Sequence, residues 1–145
     1  MHAETRELYR VFARYPHGAL DGCPCCTSRE ETLAITRVPL AALRHDDLET
    51  LARKAMTTLG DEDDYRHFLP RIMELSLEPS PHLGFDHFVI GGKLDYAKWK
   101  TWPEDERAAI QKWTLALFRA SLDGAYRWDE GALELATYAL SLIHI

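Results

Sequence analysis

The sequence contains no long apolar run. No stretch approaches the roughly 18 apolar residues of a membrane span, and residues 1–7 hold no apolar segment of the kind found in a signal peptide. These two absences predict a cytoplasmic protein with no membrane partner.

Basic charge is also scarce. The 17 Lys and Arg residues are outnumbered by 23 Asp and Glu, which gives a net charge of −6. An acidic surface repels phosphate backbones, and the Lys and Arg residues are scattered among carboxylates without forming a basic stripe. We therefore expect no nucleic-acid partner.

Cysteine is confined to one place. Cys23, Cys25 and Cys26 lie within four residues, which excludes a disulfide framework across the fold. Cys23 and Cys26 form a CxxC that can give two thiolates to a tetrahedral zinc ion, and Cys25, His17 or Asp21 could supply further ligands. The distant ligand candidates are His67 and His87.

Three interpretations of this cysteine loop stay open. It is a zinc site, a thiol–disulfide centre, or a set of structural thiols. The segment precedes a helix N-terminus, which lowers a thiol pKa, but the strand and βαβ context of a thioredoxin-type site is missing. The cofactor prediction is accordingly none, or zinc.

Apolar residues are plentiful and recur at helical spacing. With 145 residues, of which 46% are hydrophobic, the chain is long enough for one packed domain. The pattern predicts an all-α fold, an irregular bundle or solenoid-like stack of about six helices. Helices are expected over 4–15, 28–36, 46–59, about 61–77 and 103–123 and from about 129, with a helical turn near 94–100 and at most one short strand, or an apolar loop, at 85–90.

Local signals refine these helices. Asp46 or Asp47 is the expected N-cap of the 46–59 helix and Gly60 its C′ residue, while Pro70 predicts a kink or short break in the next helix. Two overlapping capping boxes precede the 28–36 helix, Thr27 with Glu30 and Ser28 with Glu31. In the 61–73 segment, Phe68, Leu69, Ile72 and Met73 are expected inside, and Asp61, Glu62 and Asp64 in water.

The last six residues, 140–145, have a second explanation. Leu-Ser-Leu-Ile-His-Ile is the translation of CTG TCT CTT ATA CAC ATC, the mosaic end of a transposase-based sequencing adapter. We interpret 140–145 as adapter-derived rather than as a natural apolar tail. Residues 1–139 are then expected to form a single helical domain whose natural chain continues further.

Two other segments can carry chemistry. Asp63, Asp64 and His67 share one helical face, which suits either a divalent cation or ordinary capping and surface ion pairs. The aromatic segment 94–103 is able to stack a partner, but such a stripe is more often core with lysines extending outward. No Gly-x-Ser-x-Gly or HExxH motif occurs.

Four segments resemble an uncharacterised group of small bacterial proteins. They are CPCCT at 23–27, KAMTT at 54–58, GDxDDxRHFLPR at 60–71 and GKLxYAxW at 92–99. The resemblance covers about residues 8–122 and implies a bacterial cytoplasmic origin; no activity is known for the group, so it implies no mechanism.

The favoured function is a non-enzymatic helical protein that acts through protein–protein interaction. The alternative is a zinc-binding or thiol-redox protein that uses the Cys23–Cys26 loop. A third hypothesis is an enzyme centred on Asp63, Asp64 and His67.

Overall fold

The computed structural model describes residues 1–15, 20, 22, 28–125, 132–133 and 135–137. The α-helices with defined limits are α1 (His2–Phe12), α2 (Arg29–Arg37), α3 (His45–Lys54), α4 (Glu62–Leu75), α5 (His87–Tyr96) and α6 (Glu104–Leu122), and residues 132–133 and 135–137 are also helical. Short 3₁₀ turns occupy Leu40–Ala42, Leu83–Phe85 and Trp99–Thr101. The described residues contain no strand, and the predicted all-α class is confirmed.

The chain forms two compact units. The central unit is Phe12–Phe85, and the split unit combines Met1–Val11 with Asp86–Ile145. The single domain over 1–139 stays a prediction, and residues 140–145 lie outside the described part of the chain.

In the central unit, α3 packs against α2, α4 and the Leu83–Phe85 turn. The turn approaches α3 so closely that a Cβ built on Gly84 would lie 2.7 Å from the Cβ of Ala52. Real Cβ atoms do not come this near, so position 84 requires glycine. The missing side chain is what lets the turn lie directly on the helix.

The apolar stripe of α4 is confirmed. Phe68, Leu69, Ile72 and Met73 are fully buried. Of the kink or short break expected at Pro70, the break is wrong, because α4 continues through this residue without interruption, and the kink stays a prediction. Proline costs a helix about 3 kcal/mol through its missing N–H and its ring; here the ring is buried within the stripe, and packing offsets that local cost.

The N-terminus of α4 corrects a second expectation. Asp61 is exposed, but Asp64 is only half-exposed because it belongs to a reciprocal capping box. The Asp64 N–H donates to Asp61 Oδ1 at 2.9 Å, and the Asp61 N–H donates to Asp64 Oδ2 at 2.9 Å. Both carboxylates therefore satisfy amides that the first helical turn leaves without partners.

The predicted limits of the 46–59 helix were also wrong. α3 begins after Arg44, whose N–H donates to Asp47 Oδ2 at 2.8 Å, so Asp47 lies inside the first turn rather than at the cap. It ends at Lys54, and Met56 then adopts a left-handed conformation at φ 67°. The Met56 N–H donates to the Leu59 carbonyl at 3.0 Å, which closes a turn in place of the last helical residues.

The segment 85–90, expected as a strand or loop, mostly belongs to α5. Asp86 is the N-cap and accepts the Phe88 N–H at 2.8 Å. The buried positions His87, Ile90, Gly91 and Leu94 follow helical spacing. Adjacent glycines at 91 and 92 each weaken a helix by about 1 kcal/mol, which obscured the pattern in the sequence.

The split unit has an aromatic core. The indole N–H of Trp113 donates to Thr5 Oγ1 at 3.2 Å, and that of Trp102 donates to the Ala97 carbonyl at 3.2 Å. His87 meets Trp113 edge-on, with 6.3 Å between ring centroids. The other large buried apolar side chains of this unit are Leu8, Val11, Ile90, Leu94, Trp99, Ile110, Leu117 and Leu135.

Candidate functional site

The cysteine loop lies outside the described residues. Cys23, Cys25, Cys26 and His17 all fall there, so zinc binding and thiol redox chemistry stay predictions. On the C-terminal side, the Ser28–Glu31 capping box is confirmed: Ser28 Oγ accepts the Glu31 N–H at 3.1 Å, and Glu31 accepts the Ser28 N–H at 3.3 Å. Within the described residues, no three His, Cys, Asp or Glu side chains group closely enough to hold a metal ion.

Asp63, Asp64 and His67 were candidates for a shared cation or catalytic site, but in the structure each of them contacts a different partner. Asp63 Oδ1 lies 3.5 Å from Arg66, and His67 Nδ1 lies 2.6 Å from the Tyr15 carbonyl. Asp64 is engaged with Asp61, as described above, and desolvation raises its pKa. The geometry supports the capping and ion-pair interpretation of these residues, since they are not brought together as one site.

The aromatic segment 94–103 divides between core and surface. Leu94, Trp99 and Trp102 are buried, as the core interpretation expects. Tyr96 differs, because 61% of it is exposed. Phe88, which the sequence analysis placed in a strand or loop, is also 58% exposed, one residue after the start of the same helix.

We define the α5 outer face by Phe88, Gly92 and Tyr96. These residues are spaced by four, so they lie within about 80° of one another around the helix, and the two rings are separated by about 12 Å along its axis. Gly92 is exposed, and nothing lies within 4 Å of the position a Cβ would take there. The face is thus a shallow notch between two aromatic side chains. The signal in the sequence was the repeat aromatic, Gly, aromatic at a spacing of four.

One lysine borders this face. Lys93 is half-buried, and desolvation lowers its pKa. Val89 is half-buried on the same side of Gly92 as Lys93, and the exposed Asp95 lies on the opposite side. Polar groups are therefore few around the notch.

A second concave feature lies in the central unit between α2 and α3. We call it the acidic cleft; its volume is about 190 Å³. It carries three carboxylates and two hydroxyls above an apolar floor. Its lining residues are Glu31, Thr32, Ala34, Ile35, Asp46, Asp47, Thr50, Leu51 and Leu59.

Each carboxylate of the acidic cleft is held by one hydrogen bond. Glu31 accepts the Ser28 N–H, and Asp47 accepts the Arg44 N–H. Asp46 Oδ1 lies 2.8 Å from His82 Nε2. A carboxylate offers about four acceptor positions, so all three retain capacity for a further donor.

Comparison with protein families, with curated proteins and with solved structures finds no match for this chain. Within the part of the chain that the structure describes, every helix is too short or too polar to cross a membrane. Function therefore has to be argued from the geometry of the two features defined above.

Proposed function

We propose that this chain is a non-enzymatic domain that acts by binding another protein, and that the partner docks on the α5 outer face. One observation carries the proposal. Phe88 and Tyr96 are 58% and 61% exposed on the same side of one helix, with the open Gly92 position between them.

The arrangement differs from ordinary surface exposure. Single exposed apolar residues are normal on soluble proteins. In α5, however, apolar residues occupy both sides of the helix, whereas a surface helix is usually polar on the side facing water. Exposed aromatic rings are the side chains that most often anchor protein interfaces.

The shape of the face favours a helix as the occupant. Side chains of a partner helix form ridges that pack into grooves, and the notch at Gly92 leaves room for one such ridge between the two rings. An amphipathic helix bound by its apolar side is a common form of peptide recognition. We therefore infer that the partner contributes an amphipathic helix with an apolar ridge.

The energetics set the size of the interface. An aromatic side chain buries about 150–250 Å², so each half-exposed ring has roughly 100 Å² left to bury, worth about 2.5 kcal/mol at about 25 cal/mol per Å². Together the rings offset little more than the minimum association cost of about 4 kcal/mol. They are anchors, and a stable complex needs about 800 Å² per partner in total.

Photo-crosslinking tests the proposal. A benzophenone amino acid is placed at position 88, or at position 96, in cells that produce the chain, and the crosslinked protein is identified and purified. Leu83 is the matched control position, because it is a large apolar residue 68% exposed on the central unit. We expect positions 88 and 96 to capture the same protein and position 83 not to capture it.

The purified partner is then titrated with variants. Phe88→Ala should weaken binding about tenfold or more, the effect of losing an interface anchor, whereas Leu83→Ala should leave affinity unchanged. Undiminished binding by the Phe88→Ala, Tyr96→Ala double variant would contradict the proposal. Crosslinks only to a second copy of this chain would replace the partner with self-association.

A further inference from the structure

We draw no further inference here: the strongest candidate, the acidic cleft between α2 and α3, is an exposed cluster of carboxylates in the first turns of these helices over a floor of buried side chains, and nothing in the part of the chain that the structure describes shows what would occupy it.

Discussion

α4, with 14 residues, and α5, with 10, place their apolar residues differently. In α4 the apolar positions form one stripe, and the described side chains of that stripe are buried. In α5 the buried stripe does not include Phe88 and Tyr96, and both side chains are more than half exposed. Two exposed aromatic rings on the same side of one helix favour a contact with another protein, and this difference is why the proposed function is placed on α5 rather than on α4.

The largest expected effect is a difference in stability loss between alanine substitutions at two phenylalanines, one in α4 and one in α5. Phe68→Ala in α4 removes a fully buried ring and should lower the free energy of unfolding by about 3–5 kcal/mol. Phe88→Ala in α5 should lower it by less than about 1 kcal/mol, because most of that ring already faces water. Denaturant titrations of both variants measure the two values. Similar losses would mean that α5 is part of the core and would remove the contrast between the helices.

The caps of the two helices should have similar, smaller effects. Asp61→Ala and Asp86→Ala each remove a carboxylate that accepts a first-turn amide, at 2.9 and 2.8 Å respectively, and each should cost about 1 kcal/mol of stability. The loss for Asp61 is expected to be the smaller one, because its removal also relieves repulsion of Asp64. Thermal unfolding checks this order, and a larger loss for Asp61→Ala would contradict it.

A substitution at Tyr65 in α4 should raise the free energy of unfolding, whereas the substitutions above lower it. The Tyr65 ring is fully buried, its hydroxyl has no hydrogen-bond partner among the residues that the structure describes, and burial raises the pKa of the phenol. Tyr65→Phe removes the unsatisfied group and should stabilise the chain by up to about 1 kcal/mol. Tyr96→Phe on α5, where the residue is exposed, should leave stability unchanged. A loss on Tyr65→Phe in the same denaturant titration would reveal a partner for that hydroxyl.

The smallest effect concerns pH. Desolvation raises the pKa of Asp64 above its ordinary value of 3.8. The folded chain therefore binds this proton more tightly than the unfolded chain does, and stability contributed by Asp64 falls as pH rises from about 3.8 through the folded pKa. Asp64→Asn should remove this falling contribution, so the free energy of unfolding plotted against pH should have a more positive slope in that window for the variant than for the unmodified chain. A less positive slope in the variant would contradict the assignment.

The sequence was most informative where local chemistry decides the structure. Phe68 and its stripe, and the Ser28–Glu31 capping box, depend on residues three or four positions apart, and both are confirmed. The end of α3 was missed because it depends on the Leu59 carbonyl accepting the Met56 amide, a turn that the apolar spacing of 46–59 conceals. α5 was missed because Gly91 and Gly92 and the β-branched residues Val89 and Ile90 weigh against a helix, whereas Asp86 alone signals its start.

The candidate sites show the same contrast between features that depend on nearby residues and features that depend on distant ones. The core role of Trp99 and Trp102 could be predicted from their spacing, since buried aromatic stripes are common. The α5 outer face could not, because exposure of Phe88 depends on which side of the helix the rest of the split unit covers. The acidic cleft brings Glu31 and Asp47 together from separate helices, and a single sequence carries no signal for that distance.

The close approach of Gly84 to Ala52 also limits which substitutions the chain can accept. A Cβ at position 84 would lie 2.7 Å from the Cβ of Ala52 and 3.0 Å from the backbone nitrogen of Arg53. Removing the Ala52 side chain would therefore not by itself make room for a larger residue at 84, because the backbone of α3 is also in the way. Among descendants of this chain, glycine should persist at 84 unless the turn has moved away from α3.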